Sequence, residues 1–142
     1  MRGRAGERYP RGEVRSVTGC GLFVKRFAFE PDDTAVVRID TAKTRWLPGR
    51  VPGLGVMPLH EHRQEHAALV RWDPETFFQA HAHFGGEEIF VLSGVFEDER
   101  GRYPAGTWLR SPHLSRHQPF SREGCTIFVK VGHLPVETIR AA

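Results

Sequence analysis

Short apolar runs broken by turn-forming residues govern what this 142-residue chain can fold into. Runs rich in β-branched, aromatic and aliphatic side chains fall at 22–27, 35–39, 56–59, 67–72, 77–83, 89–95, 106–110 and 126–131. Between them stand turn signals such as Glu30-Pro31-Asp32-Asp33, Pro48-Gly49, Pro52-Gly53, Asp73-Pro74, Gly85-Gly86 and Glu123-Gly124. No window carries a sustained apolar stripe of helical period with caps. Ten prolines also oppose long helices. Many short strands at even spacing predict an all-β sandwich or barrel in a single domain.

The length suits one domain with a sizeable core, and 39% hydrophobic with 11% aromatic residues excludes a disordered chain. No apolar run approaches the ~20 residues that cross a bilayer. The first residues lack the apolar stretch of a secretory signal, so neither membrane nor export is expected. Cys20 and Cys125 form no C-x-x-C, and two lone thiols fit a reducing compartment, which makes the cytoplasm the expected location. The pI of about 9.2 suggests nucleic acid until the charge is located. Residues 1–15 hold five arginines against two glutamates, an excess equal to the formal net charge of +3 for the whole chain. The rest is balanced, so no basic face and no nucleic-acid partner is expected. Residues 1–15 read as a flexible basic tail and 16–142 as the folded domain.

The stretch AHAHFGGEEIF, residues 80–90, concentrates the side chains that carry chemistry. On a strand over 77–83, Phe77, Gln79, His81 and His83 share one face. Gly85-Gly86 then permits a turn into the next strand. Glu87 would share a face with Ile89 and Val91, and Glu88 with Phe90 and Leu92; both sets suit a core, so periodicity leaves the choice of glutamate open. Imidazoles with a carboxylate suit divalent Zn, Fe, Mn, Ni or Cu. A second pair, His60 and His62 with His66 in PLHEHRQEH, is not H-E-x-x-H, because Gln64 occupies the required histidine position. It reads as a solvated hairpin between two strands. Cys125 reads as packed near the start of a strand.

The spacing downstream resembles the cupin superfamily. His81-Ala-His83, three residues, Glu87, six residues and Gly94 match its first motif. Gly106, five residues, Pro112 and, beyond Leu114, two residues to His117 match its second, with Leu114 standing where the motif has Gly. The stretches GGEEIFVLSGVFEDERGRYPAGTWLRSP, EGCTIFVK, TRWLPGRVPGLGVMPL and ALVRWDPET are similar to the ChrR-type cupins, over about residues 35 to 133. This resemblance implies a double-stranded β-helix, or jelly-roll barrel. It selects Glu87 over Glu88, which then takes an outer position, and it implies one divalent ion per chain, Fe(II) or Zn(II) with Mn or Ni also accommodated, on His81, His83, Glu87 and His117. His113 falls in the turn before His117 and is expected to be exposed, and His133 has no assigned role. Gln79, Arg71, Trp108, Arg110, Phe128 and Lys130 are candidate lining residues of a cavity for a small-molecule ligand or substrate. A homodimer is expected. Two functions follow from the resemblance. One is an Fe(II)-dependent dioxygenase acting on a small diketone or hydroxyketone, although diketone-cleaving cupins use three histidines without a carboxylate. The other is a non-catalytic zinc-binding sensor like the C-terminal domain of the anti-sigma factor ChrR.

Overall fold

A computed structural model describes residues 15–136. The expected basic tail falls outside the described residues except for Arg15. The chain divides into two compact units at Val36–Val37. In the described part of the first unit a turn closes from the Asp33 amide to the Glu30 carbonyl, 3.0 Å, and no strand forms. The strands expected at 22–27 and 35–39 are therefore not observed. Their apolar side chains, Leu22, Phe27 and Val36 among them, are exposed. A strand is stable only beside a partner, and apolar composition alone does not supply one.

The second unit is a curled antiparallel sheet, and among the described residues every regular element is a β-strand. Its strands are β1 (Leu47–Pro48), β2 (Leu54–His62), β3 (Glu65–Trp72), β4 (Thr76–Phe77), β5 (His81–Ala82), β6 (Glu87–Asp98), β7 (Gly101–Pro104), β8 (Trp108–Ser111), β9 (Arg116–His117), β10 (Phe120–Ser121) and β11 (Cys125–Val131). The main sheet runs β1-β2-β3-β11-β6-β10-β4, with β7 and β8 also on β6, and β5 pairs with β9 separately. The all-β expectation thus holds, and the runs at 56–59, 67–72, 89–95 and 126–131 lie inside strands. The run at 77–83 is instead split, with β4 and β5 separated by residues that leave the ladder at Phe78, whose amide bonds the Pro119 carbonyl at 3.0 Å.

β6 carries the topology. Its first half pairs with β11 and β8, and its second half with β7 and β10. The ladder to β11 shifts between Thr126 and Ile127, whose partners are Ser93 and Val91. Leu92 is the extra residue of this bulge and is 45% exposed, not in the core as its alternation suggested. Glu87, Ile89 and Val91 face inward on the other parity. The core joins Trp72, Ile89, Val91, Phe96, Cys125 and Ile127, and Trp72 meets Phe96 edge-on at 5.8 Å. Each such apolar side chain contributes roughly 1.5–3 kcal/mol when fully buried. This core floors the site described next.

Candidate metal centre

His81 and His117 are direct partners in the β5–β9 ladder. Residues opposite one another in an antiparallel pair project to the same face, so this register brings together two histidines far apart in the chain. His83 joins them one residue beyond β5. The rings lie 4.5 Å (His81–His83), 4.9 Å (His81–His117) and 5.6 Å (His83–His117) apart by centroid. One ring nitrogen from each falls within 4.8 Å of the others, an arrangement that can hold a metal ion.

Glu87 borders the three histidines. Its carboxylate is buried, with Oε1 3.1 Å from His83 Nε2 and Oε2 3.4 Å from His117 Nε2. His81 Nε2 stands 2.8 Å from His83 Nε2. Donors that share one ion at ~2.0–2.1 Å lie about 3 Å from each other, which is the spacing found along this chain of atoms. Glu87 Oε2 and His117 Nε2 are both buried without an aligned hydrogen bond. Leaving such groups unsatisfied costs about 1–3 kcal/mol each, a cost that a cation between them would remove. His81 Nδ1 lies 2.9 Å from the Gln79 carbonyl. A carbonyl only accepts, so Nδ1 carries the hydrogen and Nε2 keeps its lone pair toward the cluster. Burial lowers the pKa of His117, and the neighbouring His81 and His83 add to this against the opposing charges of Glu87 and Asp98. A neutral imidazole is the ligating form.

Glu88 points to the opposite face. It is buried there and pairs with His133 Nε2 at 2.9 Å. This contact lies outside the cluster and gives His133 a partner that the sequence did not suggest. His113 is half-buried and structural, since its Nδ1 accepts the Gly85 amide at 2.8 Å. The Leu114 amide bonds the His83 carbonyl at 3.0 Å. These two bonds stitch the loops that carry the two histidine motifs. Leu114 itself adopts φ +60°, so the glycine conformation is kept without the glycine. His60, His62 and His66 lie on the β2–β3 hairpin, which turns at Arg63 with φ +56°.

Over the cluster opens a cavity of about 230 Å³, walled by Leu54, Val70, Trp72, Phe78, Ile127 and Val129 among others, with Arg50 as its cationic member. Phe78 packs edge-on to His81 at 5.2 Å; the break between β4 and β5 puts it there in place of Phe77 and Gln79. Gln79 contributes its carbonyl, and its side chain is exposed. The other candidate lining residues fall on the opposite strand parity. Arg71 lies over the Trp46 ring at 4.9 Å, between the cavity residues Val70 and Trp72. Phe128 and Trp108 both register with Phe90 on the outer row, and Lys130 is buried beside Glu65. Arg110 borders a second, polar hollow of about 320 Å³ that also reaches Glu87 and His117 and contains Asp98 and Tyr103. Burial and the Asp98 hydrogen bond push the Tyr103 phenol up to about 12.

Known structures share this architecture. A putative acetylacetone dioxygenase from Methylibium petroleiphilum PM1 superposes with TM-score 0.65 at 16% identity, over 72% of this chain and 81% of that one. A protein of unknown function with a cupin-like fold from Ralstonia eutropha JMP134 gives 0.63 at 19%, over 69% and 67%. The Rhodobacter sphaeroides SigE complex with the anti-sigma ChrR gives 0.57 at 23%, over 65% of this chain and 50% of that one. At these identities the likeness is one of fold. A search of curated proteins finds no match. The sheet, both histidine segments and the closing strand β11 all fall within residues 34–135, the stretch matched by the family model for the ChrR Cupin-like domain, and the chain belongs to that family.

Proposed function

We propose that the protein is a metal-dependent dioxygenase that holds one divalent ion, Fe(II), on His81, His83, Glu87 and His117, and acts on a small diketone or hydroxyketone. The observation that carries this reading is the apolar cavity seated directly over the histidines. At about 230 Å³ it falls below the ~300–1,000 Å³ of drug-sized sites, and suits a short organic molecule. Iron held there would supply Lewis acidity and redox chemistry toward dioxygen, with coordination positions to spare beyond four protein ligands. The protein's own part is positional. Gln79 fixes the His81 tautomer. Trp72, Val70 and Ile127 exclude water and strengthen electrostatics around the reacting group. Glu87 balances cationic charge and is a basic group within reach of the cavity. We place the activity in the cytoplasm, in keeping with two free cysteines, and in a homodimer, in keeping with the exposed apolar side chains of residues 17–39.

A second reading, a zinc-binding sensor without turnover, is favoured by the fourth ligand. Three histidines and a buried carboxylate would supply the four donors with which a structural zinc site is filled. The experiment that separates the two is metal analysis of anaerobically purified protein followed by oxygen-uptake measurement with added diketones. Iron with substrate-dependent uptake is the expected result. Stoichiometric zinc and no uptake would select the sensor. Sedimentation at micromolar concentration reports the dimer in the same preparation.

A further inference from the structure

We propose that Asp98, itself held by Tyr103, is a positioning residue that fixes His117 with its Nε2 lone pair toward Glu87 and the other two histidines. The inference rests on the metal reading of the site. Neither Asp98 nor Tyr103 belongs to the histidine motifs. The His117 ring stands between two buried carboxylates. Its Nε2 is 3.4 Å from Glu87 Oε2, and its Nδ1 is 3.9 Å from Asp98 Oδ2. The second distance is about 0.7 Å beyond an ordinary N–H···O contact, and no hydrogen bond forms across it in this geometry.

The two oxygens of Asp98 have different duties. Oδ1 accepts from the Arg100 amide (2.8 Å), the Gly101 amide (3.2 Å) and the Tyr103 hydroxyl (2.9 Å). Those three donors saturate it and lock the carboxylate plane. Oδ2 is left to face His117, with the Arg100 guanidinium 3.8 Å away. An acceptor opposite Nδ1 makes that nitrogen the donor, and Nε2 then presents a lone pair inward. Metal-bound histidines commonly donate their second N–H to a carboxylate in this way, which orients the ring and raises its basicity. Phe96, its ring centroid 6.4 Å from that of His117, packs beside the imidazole.

The competing role for Asp98 is merely to cap the turn into β7. Asp98→Asn separates the two, because asparagine retains Oδ1 for the turn and for Tyr103 but places an amide donor opposite Nδ1. His117 must then expose a hydrogen on Nε2 or lose its partner. The measurement is Zn(II) affinity by chelator competition on the full chain, with NMR of the His117 ring in the zinc-loaded protein. Asp98→Asn is expected to bind zinc about 10–100-fold more weakly than wild type, and to lose the downfield, exchange-protected Nδ1 proton. Tyr103→Phe removes only the hydroxyl on Asp98, and is expected to weaken zinc a few-fold and shift the same proton. Zinc affinity within twofold of wild type in a folded Asp98→Asn protein, with the His117 signals unmoved, overturns the inference. Should Asp98→Asn not fold, Tyr103→Phe decides, and an unchanged affinity and proton there overturn it equally. Wild-type protein that takes up no zinc overturns the metal reading and this inference with it.

Discussion

Leu114 holds a left-handed backbone, φ +60°, in the loop that delivers His117. For a residue with a Cβ this conformation costs roughly 1–2 kcal/mol. The side chain is 57% exposed, so little packing repays it. Leu114→Gly should therefore stabilise the fold by about 0.5–1 kcal/mol, net of the extra freedom that glycine gives the unfolded chain. Thermal unfolding should show a midpoint about 2–4 °C higher; a lower midpoint would mean that Leu114 packs more than its exposure indicates. The motif identified the position, but not that leucine would tolerate the glycine conformation there. The cysteines give a second test at this scale. Cys125 is buried, which pushes its thiol up to about 11, while Cys20 is exposed. At pH 8 a thiol reagent should label one cysteine per native chain and both only after denaturation; rapid labelling of both would place Cys125 in an open structure.

At the level of elements, a sharp constraint lies in the bend of β6. Gly94 has φ +70°, and a Cβ there would stand 2.1 Å from the Gly124 carbonyl oxygen. Both strain and backbone collision follow, so Gly94→Ala should destabilise by about 2–4 kcal/mol, read as a lowered unfolding midpoint or loss of soluble protein. A near-native midpoint would show that β6 and β11 can separate without cost. Of the long strands, β6 and β11 were legible because they are rich in β-branched and aromatic residues, and β2 and β3 as short aliphatic runs set between turn signals. The bulge at Leu92 was not, since a register shift depends on the partner strand and not on the run itself. The same limit explains the split of 77–83 and the absence of strands at 22–27 and 35–39. Composition states that a segment can be extended, and only pairing decides whether it is. One residue of parity then moved the cavity wall from Arg71, Phe128 and Lys130 to Val70, Trp72, Ile127 and Val129.

Across the whole molecule, the site is assembled from three parts of the chain: His81 and His83, Glu87 at the head of β6, and His117 on β9. Motif spacing was enough to nominate these four, because the β5–β9 register and the inward parity of β6 turn spacing into proximity. The partners behind them, Asp98, Tyr103 and the Glu88–His133 pair, carry no spacing signal and emerge only from the fold. In the proposed function one divalent ion is shared by the three histidines and Glu87, with Glu88 outside the set. The direct test is metal stoichiometry after dialysis against a weak chelator at pH 7, with wild type, Glu87→Gln and Glu88→Gln side by side. Wild type and Glu88→Gln should each retain about one ion per chain, because the Glu88 amide preserves the contact to His133. Glu87→Gln should lose most of it, because three neutral imidazoles lack the charge that compensates a divalent cation. Retention by Glu87→Gln together with loss by Glu88→Gln would assign the ion to Glu88 and overturn the proposed ligand set.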